Sequence, residues 1–94
     1  MKKITLFHLD TCPYCINAKK ALTELIAEDP TYGEVEIDWI EESRQPALAN
    51  QYDYYYVPTI YDGQTKLYEA SPAESFADCK ANVKAALDKV LGRN

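Results

Sequence analysis

Residues 4–28 read ITLFHLDTCPYCINAKKALTELIAE, and this stretch decides the fold. Its first part, Ile4–Leu9, carries little charge and predicts a short strand that is buried on both faces. Two cysteines separated by two residues then lead into a helix, which ends before Asp29-Pro30 because the residue before a proline disfavours helical geometry. The predicted apolar face of this helix consists of Ile16, Leu22, Leu25 and Ile26.

The middle of the chain adds a strand, a short helix and a hairpin. Apolar and acidic residues alternate in VEIDW at 35–39, which predicts a second strand. Pro46–Tyr52 predicts a short helix, since proline is tolerated in the first helical turn. Thr59–Tyr61 and Lys66–Tyr68 flank the turn signal Asp62-Gly63 and indicate a β-hairpin.

The last predicted element is a helix with a marked start and end. Ser71-Pro72-Ala73-Glu74 fits a capping box with proline at the first helical position. Gly92 predicts where the helix stops. The apolar residues that recur at helical spacing in between are Phe76, Cys79, Val83, Leu87 and Val90.

The predicted order β-α-β-α-β-β-α specifies an α/β fold. The first two strands and the helix between them form a right-handed parallel unit, and the hairpin adds antiparallel strands. We therefore expect a small mixed four-stranded sheet with helices on both faces. A chain of 94 residues is long enough for one core and too short for two, so residues 1–94 are interpreted as a single domain.

The acidic composition limits the class of partner. Ten basic and 15 acidic residues give a formal net charge of −5, so the overall field attracts neither nucleic acid nor an anionic membrane. The apolar run near the N-terminus is interrupted by His8 and stopped by Asp10, short of the roughly 7–15 apolar residues that a signal peptide needs. We expect a monomeric cytoplasmic protein whose partners are proteins or small molecules.

Cys12 and Cys15 lie at a helix start, where the backbone favours thiol chemistry. The first helical turn leaves N–H groups unpaired and carries the positive end of the helix dipole, so it stabilises a thiolate at Cys12. Cys15 follows about one turn later, close enough to attack a mixed disulfide formed at Cys12. Pro13 fits the first turn and removes one N–H donor. This arrangement predicts a thiol–disulfide oxidoreductase in which Cys12 attacks and Cys15 resolves.

Two functions of other classes remain open alternatives. The cysteine pair could belong to a metal or iron–sulfur carrier module, but a structural zinc site normally has four ligands and only Cys79 and His8 remain to complete one. The chain could also be a non-catalytic interaction domain that retains the motif. We predict that it has no metal site and no bound cofactor.

The segment Phe7–Cys15 resembles the active-site segment of glutaredoxins, and Val57-Pro58-Thr59 resembles the cis-proline segment that glutaredoxins share with thioredoxins. The resemblance implies a thioredoxin-like fold and an electron donor to disulfide-containing protein substrates. It also implies that Pro58 is cis and that Val57 offers main-chain groups to the substrate. The substrate-binding residues implied by the resemblance are Pro13, Tyr14, Val57, Pro58 and Thr59.

The chain departs from both families at particular positions. Glutaredoxins have a basic residue where this chain has Leu9, and a Gly-Gly pair near the glycine-free segment 68–72. Both features help to hold glutathione, and Pro72 and Glu74 make the segment a poor anion site. Thioredoxins have tryptophan where this chain has Thr11. The expected external reductant is glutathione or a thioredoxin-reductase-type flavoenzyme, and these departures favour the flavoenzyme.

Several residues near the motif have simpler interpretations. Cys79 lies on the apolar face of the last helix and is expected to pack in the core. His8 is interpreted as a residue that fills space at the end of the first strand, with assistance to the thiolate as the alternative. Tyr14 is expected to lie exposed beside Cys12. At least one of Tyr54–Tyr56 is expected to line the substrate groove.

Overall fold

A four-stranded mixed sheet forms the centre of the computed structural model, which describes residues 2–93. The strand order is β2-β1-β3-β4. Strand β1 (Lys3–His8) pairs parallel with β2 (Glu36–Glu41) and antiparallel with β3 (Thr59–Asp62). Strand β4 (Thr65–Glu69) pairs antiparallel with β3. The predicted parallel unit and the predicted hairpin are both confirmed.

Three α-helices and one 3-10 helix complete the described part of the chain. They are α1 (Pro13–Glu28), the 3-10 helix (Pro30–Glu34), α2 (Pro46–Ala49) and α3 (Phe76–Val90). The element order agrees with the predicted β-α-β-α-β-β-α, and the 3-10 helix is an addition that the sequence pattern did not indicate. Within residues 2–93, no helix combines the length and the apolar character needed to cross a bilayer.

The alternation of side chains along β1 divides the core into two clusters. Ile4 and Leu6 belong to the larger cluster, which they form with residues of α1 and α3. Phe7 points to the opposite face, where it packs with Tyr61 and with Ala49 of α2. Helices therefore cover both faces of the sheet, as predicted, and the motif cysteines lie at the end of its central β1 strand.

Two residues predicted for the apolar face of α1 are exposed instead. Ile16 is 55% exposed and Ile26 is 38% exposed, so this part of the prediction was wrong. Successive residues of a helix are rotated by about 100° around its axis. The face of α1 that packs on the sheet is formed by other residues of the helix. Ile16 lies almost opposite the centre of that face, and Ile26 lies at its edge. The residues that α1 buries are Cys15, Ala18, Ala21, Leu22 and Leu25.

Helix α3 begins later than predicted, because Ser75 and not Ser71 is its N-cap. The Ser75 hydroxyl accepts the N–H of Asp78 at 3.0 Å, and the Asp78 carboxylate accepts the N–H of Ser75 at 3.4 Å. The segment from Ser71 to Glu74 forms a turn, in which the Glu74 N–H donates to the Ser71 carbonyl at 3.1 Å. Ala73 has a φ of +67°, which a helical residue cannot adopt.

One further detail differs from the sequence prediction. Helix α2 stops at Ala49 instead of continuing to Tyr52, whose N–H donates to the Ala49 carbonyl in a tighter turn. The Tyr52 ring packs on Phe7 with 4.7 Å between ring centroids, and this contact replaces the helical continuation. The alternating segment around Trp39 forms strand β2 as predicted, and Trp39 is 39% exposed on this edge strand of the sheet.

Candidate active site

The two motif cysteines lie where the central strand leads into a helix. After β1 ends at His8, the chain turns and Cys12 becomes the N-cap of α1, with φ −77° and ψ 123°. The turn is closed by the Cys12 N–H, which donates to the Leu9 carbonyl at 3.2 Å. Pro13 occupies the start of the helix, as predicted, where its missing N–H breaks no helical hydrogen bond. The Cys12 side chain thus lies at the positive end of the α1 dipole.

Burial distinguishes the two thiols. Cys12 is partly exposed, and its thiol donates to the Val57 carbonyl at 3.7 Å. Cys15 is only 2% exposed, and its Sγ accepts the Leu9 N–H at 3.4 Å. Burial is the main cause that raises the pKa of Cys15 to about 12, against the opposing effect of the Leu9 N–H. Cys12 is therefore the accessible thiol, and Cys15 is a buried thiol that stays protonated at neutral pH.

The segment around Pro58 lies against Cys12. The Val57–Pro58 peptide bond is cis, as the resemblance implied. Pro58 is buried, and its carbonyl accepts the N–H of Ala70 at 3.0 Å, which extends the pairing of the hairpin. The main chain of Val57 is thereby held next to the Cys12 thiol.

The side chain of Thr59 is buried, so a contact of this residue with a substrate is limited to its main chain. It is 0% exposed, and its hydroxyl donates to the Tyr56 carbonyl. A buried hydroxyl needs such a partner within the protein. Thr59 supports the turn that holds Val57 and does not itself form part of the open surface.

The Glu69 carboxylate fixes the chain just before the cis bond, a contact that no sequence pattern indicated. Its Oε2 accepts the N–H of Tyr55 at 2.7 Å and of Tyr56 at 2.8 Å, and its Oε1 accepts from Lys66 at 2.7 Å. Partial burial opposes ionisation, but the Lys66 ammonium and the two N–H groups hold the pKa of Glu69 below its ordinary value. The main chain at residues 55 and 56 is thus fixed by a carboxylate from β4.

Tyr14 is partly buried and not exposed as predicted. Its hydroxyl accepts the N–H of Ala73 at 2.8 Å, so the first turn of α1 is tied to the loop before α3. This contact closes one side of a cavity of about 120 Å³ beside Val57. Tyr56 is the member of the 54–56 set that lines the cavity. The complete lining is Tyr14, Tyr56, Val57, Ala70, Ser71 and Pro72.

Cys79 and His8 have packing roles. Cys79 is 1% exposed, its Sγ lies 3.6 Å from the Tyr68 hydroxyl, and burial raises the pKa of its thiol, so its prediction as a core residue is confirmed. His8 is 6% exposed and meets the Trp39 ring edge-on at 5.5 Å between centroids. Burial, followed by the charge of Lys19, lowers the pKa of His8. In the described part of the chain, no group of three or more His, Cys, Asp or Glu side chains is placed to hold a metal ion.

Comparison with known proteins agrees with this geometry. The family model named Glutaredoxin matches residues 4–66, a span that includes both motif cysteines and the cis-proline segment. The chain belongs to the glutaredoxin family. Its relatives include the thioredoxin of Methanocaldococcus jannaschii, which is 32% identical over 77 residues, or 81% of this chain and 88% of that protein. The protein is thus a member of the glutaredoxin/thioredoxin superfamily of thiol–disulfide oxidoreductases.

Solved structures confirm the thioredoxin-like fold of this glutaredoxin-family protein. A malarial protein aligns with a TM-score of 0.58 at 20% identity, covering 90% of this chain and 96% of the other. Thioredoxin 1 of Thermosipho africanus aligns with a TM-score of 0.54 at 21% identity, covering 93% of this chain and 96% of the other. At these identities the likeness concerns the fold alone.

The difference in burial between the thiols predicts selective alkylation. Iodoacetamide at pH 8 is expected to add one group per native chain, at Cys12, because Cys15 and Cys79 are almost fully buried and the pKa of each is raised. Peptide mapping by mass spectrometry identifies the modified residue. The Cys12→Ser variant is expected to remain unmodified, and all three thiols of the wild type should react in urea. Equal labelling of Cys15 in the native protein contradicts this prediction.

The loop before Cys12 is held by a second carboxylate, whose titration is predictable. Glu41 accepts the Ser43 hydroxyl at 2.6 Å, the Ser43 N–H at 2.7 Å and the Asp10 N–H at 3.2 Å. The Ser43 hydroxyl is the main cause that lowers the pKa of Glu41 from its ordinary 4.5 to about 2. Because the folded pKa is depressed, this contribution to stability is present above pH 4.5 and is lost as the pH falls towards 2.

Carboxyl NMR titration checks this assignment directly. The Glu41 resonance is expected to titrate near pH 2 in the wild type and at a higher pH in Ser43→Ala. Ser71→Ala is a suitable control, since that serine side chain makes no contact with Glu41. A wild-type Glu41 that titrates near 4.5 shows that the Ser43 and Asp10 contacts do not hold in solution.

Proposed function

We propose that this glutaredoxin-family protein is a protein disulfide reductase that uses Cys12 and Cys15 as its dithiol. The observation that carries the proposal is that two thiols of different burial lie close together in the chain. Cys12 is partly exposed at the N-terminus of α1, and Cys15 is a buried, protonated thiol in the first turn. The main chain of Val57 lies beside the exposed thiol and is available to pair with an extended substrate. These features support a nucleophile, a resolving thiol and a docking edge in one place.

The proposed reaction transfers two electrons to the substrate. Cys12 loses its proton, and its thiolate attacks one sulfur of the substrate disulfide, so the substrate S–S bond breaks and a mixed disulfide forms. The other substrate sulfur leaves as a thiolate and takes up a proton from water, equivalent to the one that Cys12 released. The Cys15 thiol then attacks the Cys12 sulfur, and its proton passes to the second substrate sulfur as that thiol departs. The products are two substrate thiols and a Cys12–Cys15 disulfide. An external reductant returns two electrons and two protons to restore the dithiol.

We assign the reductant to a thioredoxin-reductase-type flavoenzyme in preference to glutathione. Leu9 stands where a basic residue would attract a carboxylate. Three N–H groups near the cavity already have internal partners, two in Glu69 and one in Tyr14. Free N–H groups and positive charge are what a glutathione carboxylate needs. Their occupation by internal partners supports the flavoenzyme.

The test is insulin disulfide reduction with two recycling systems in parallel. One contains glutathione, glutathione reductase and NADPH, and the other contains thioredoxin reductase and NADPH. We expect turnover with the second system and little with the first. Turnover with glutathione alone contradicts the assignment of the reductant, and the absence of reduction even by dithiothreitol-reduced protein contradicts the proposed activity.

The remaining parts of the proposal concern partners and location. We propose a monomeric cytoplasmic protein that binds disulfide-containing proteins and a reductase. Its acidic net charge disfavours binding to nucleic acid and to an anionic membrane. The competing metal-carrier function predicts bound zinc or iron in the purified protein, which elemental analysis measures. The competing interaction-domain function predicts that Cys12→Ser retains full partner binding and that the wild type has no reductase activity.

A further inference from the structure

The cavity beside Val57 is placed to contact a substrate that has reached Cys12. Val57 lines the cavity, and its carbonyl lies 3.7 Å from the Cys12 sulfur. Tyr14, another lining residue, belongs to the same helical turn as the two cysteines. A peptide paired with the Val57 main chain therefore passes the mouth of this cavity within one or two residues of its reacting cysteine.

The walls of the cavity are uncharged and largely apolar. No lining residue carries a charge. The lining consists of two tyrosines and four smaller residues: Tyr14, Tyr56, Val57, Ala70, Ser71 and Pro72. The volume of about 120 Å³ corresponds to roughly four water molecules. A branched aliphatic side chain of about four carbon atoms has a similar size.

Three N–H groups next to the cavity are already bonded within the protein. The Tyr14 hydroxyl accepts the Ala73 N–H, and the Glu69 carboxylate accepts the N–H groups of Tyr55 and Tyr56. These three N–H groups are therefore not free to bind a carboxylate that enters the cavity. The Glu69 carboxylate would also repel it, since this carboxylate lies against the main chain of Tyr56, a lining residue.

The same bonds hold the walls in place before a substrate arrives. Ala70 is fixed by its N–H bond to the Pro58 carbonyl at 3.0 Å, and the main chain of Tyr56 is fixed by its N–H bond to Glu69. A preformed apolar cavity binds an apolar group without the cost of ordering its own walls.

We propose that this cavity is a specificity subsite that accepts an uncharged aliphatic side chain, such as leucine, flanking the target cysteine of a protein disulfide. The proposal rests on the proposed reductase function and names the substrate class of that same site. It predicts that substrates are selected by an apolar neighbour of the cysteine and that an acidic neighbour is disfavoured.

The experiment measures single-turnover release of 5-thio-2-nitrobenzoate from mixed disulfides with short peptides. The peptides have cysteine in a glycine background, and leucine, alanine or aspartate replaces each flanking glycine in turn. At one flanking position, we expect the second-order rate constant for leucine to exceed that for alanine at least about tenfold. This is the lower end of the effect of removing a single methylene group from a ligand of an apolar pocket. Aspartate at that position should react more slowly than alanine.

Two neighbouring tyrosines provide a matched pair of variants. Tyr56→Ala removes one wall of the cavity. The ratio of the leucine to the alanine rate constant should fall below about threefold, because the opened cavity contacts less of the leucine side chain. Tyr55→Ala removes a ring that is 89% exposed and does not line the cavity, so the ratio should stay as in the wild type. Circular dichroism checks that both variants are folded.

The outcomes separate this proposal from the function on which it rests. If wild-type protein releases the chromophore much faster than Cys12→Ser but shows equal rates for all flanking residues, the subsite is wrong and the reductase function stands. If the wild type is no faster than Cys12→Ser with any peptide, the reductase function itself is wrong. A preference for aspartate, or a leucine preference that survives in Tyr56→Ala, overturns the assignment of the cavity.

Discussion

Replacing Cys12 with serine is expected to abolish disulfide reduction by this glutaredoxin-family protein. A serine hydroxyl stays protonated where a thiol can ionise, and it is a far weaker nucleophile towards sulfur. The insulin-reduction rate is therefore expected to fall by at least about 1,000-fold, in line with the loss of a catalytic nucleophile in other enzymes. The Cys12 side chain is partly exposed at the N-cap of α1, so the substitution should leave the fold intact.

Serine at position 15 should arrest the same reaction at a different step. Cys12 remains free to attack, but the buried thiol that resolves the mixed disulfide is gone, so turnover stops after one round. Mass spectrometry of Cys15→Ser mixed with a peptide disulfide is expected to show one peptide bound covalently at Cys12. Continued multiple turnover by Cys15→Ser contradicts the role of Cys15 in the dithiol mechanism.

The third cysteine supplies the control for both substitutions. Cys79 lies on the buried face of α3 and is 1% exposed. Its thiol is bonded to the Tyr68 hydroxyl and to neither of the motif cysteines. Cys79→Ser is expected to retain insulin reduction within about twofold, although the buried polar group should reduce stability. If Cys79→Ser were as inactive as Cys12→Ser, the assignment of the reactive pair would be wrong.

The reactive pair could be predicted from the sequence because its geometry is local. A strand, a turn and the first residues of a helix follow one another directly, so the spacing places Cys12 at the N-cap of the helix and Cys15 in its first turn. The cis bond at Pro58 was predictable only through the resemblance, since its partner in the site is distant in sequence. Local pattern and family resemblance together thus identified the chemical centre.

The surroundings of the pair could not be predicted because they depend on contacts between distant elements. Ser71 and Ser75 both precede an acidic residue at the capping distance, so the sequence offers two helix starts. The Tyr14 hydroxyl accepts the Ala73 N–H. The Tyr68 hydroxyl donates to Glu74, the acidic residue of the capping box that begins at Ser71. These tertiary bonds select the later start and shape the cavity.

Replacing Phe7 with alanine is expected to destabilise the fold more than the other substitutions considered above. Phe7 is 0% exposed and lies at the centre of the smaller core cluster, with its ring centroid 4.7 Å from Tyr52, 5.0 Å from Tyr54 and 6.1 Å from Tyr61. Loss of a buried phenylalanine ring costs about 3–5 kcal/mol in unfolding free energy, since transfer and cavity terms add. Urea unfolding monitored by circular dichroism measures the loss.

The other phenylalanine of the chain provides a matched control. Phe76 is partly exposed at the start of α3, with the Lys20 ammonium 4.9 Å from its ring centroid. Phe76→Ala removes the same number of atoms but is expected to cost less, about 1–2 kcal/mol, because Phe76 is partly solvated and lies outside both core clusters, so its loss leaves no enclosed cavity. Equal losses for the two variants contradict the assignment of Phe7 to a packed second core.

The Phe7 substitution should also affect activity, which connects the smaller core cluster to the site. The rings that pack on Phe7 belong to residues 52 and 54, immediately before the Tyr55–Val57 segment whose main chain borders Cys12. If this packing positions the segment, folded Phe7→Ala protein should show a higher KM for insulin, whereas the reaction of Cys12 with a small disulfide should change little. A change confined to stability would instead mean that the Glu69 carboxylate and the Pro58–Ala70 hydrogen bond suffice to hold the docking edge.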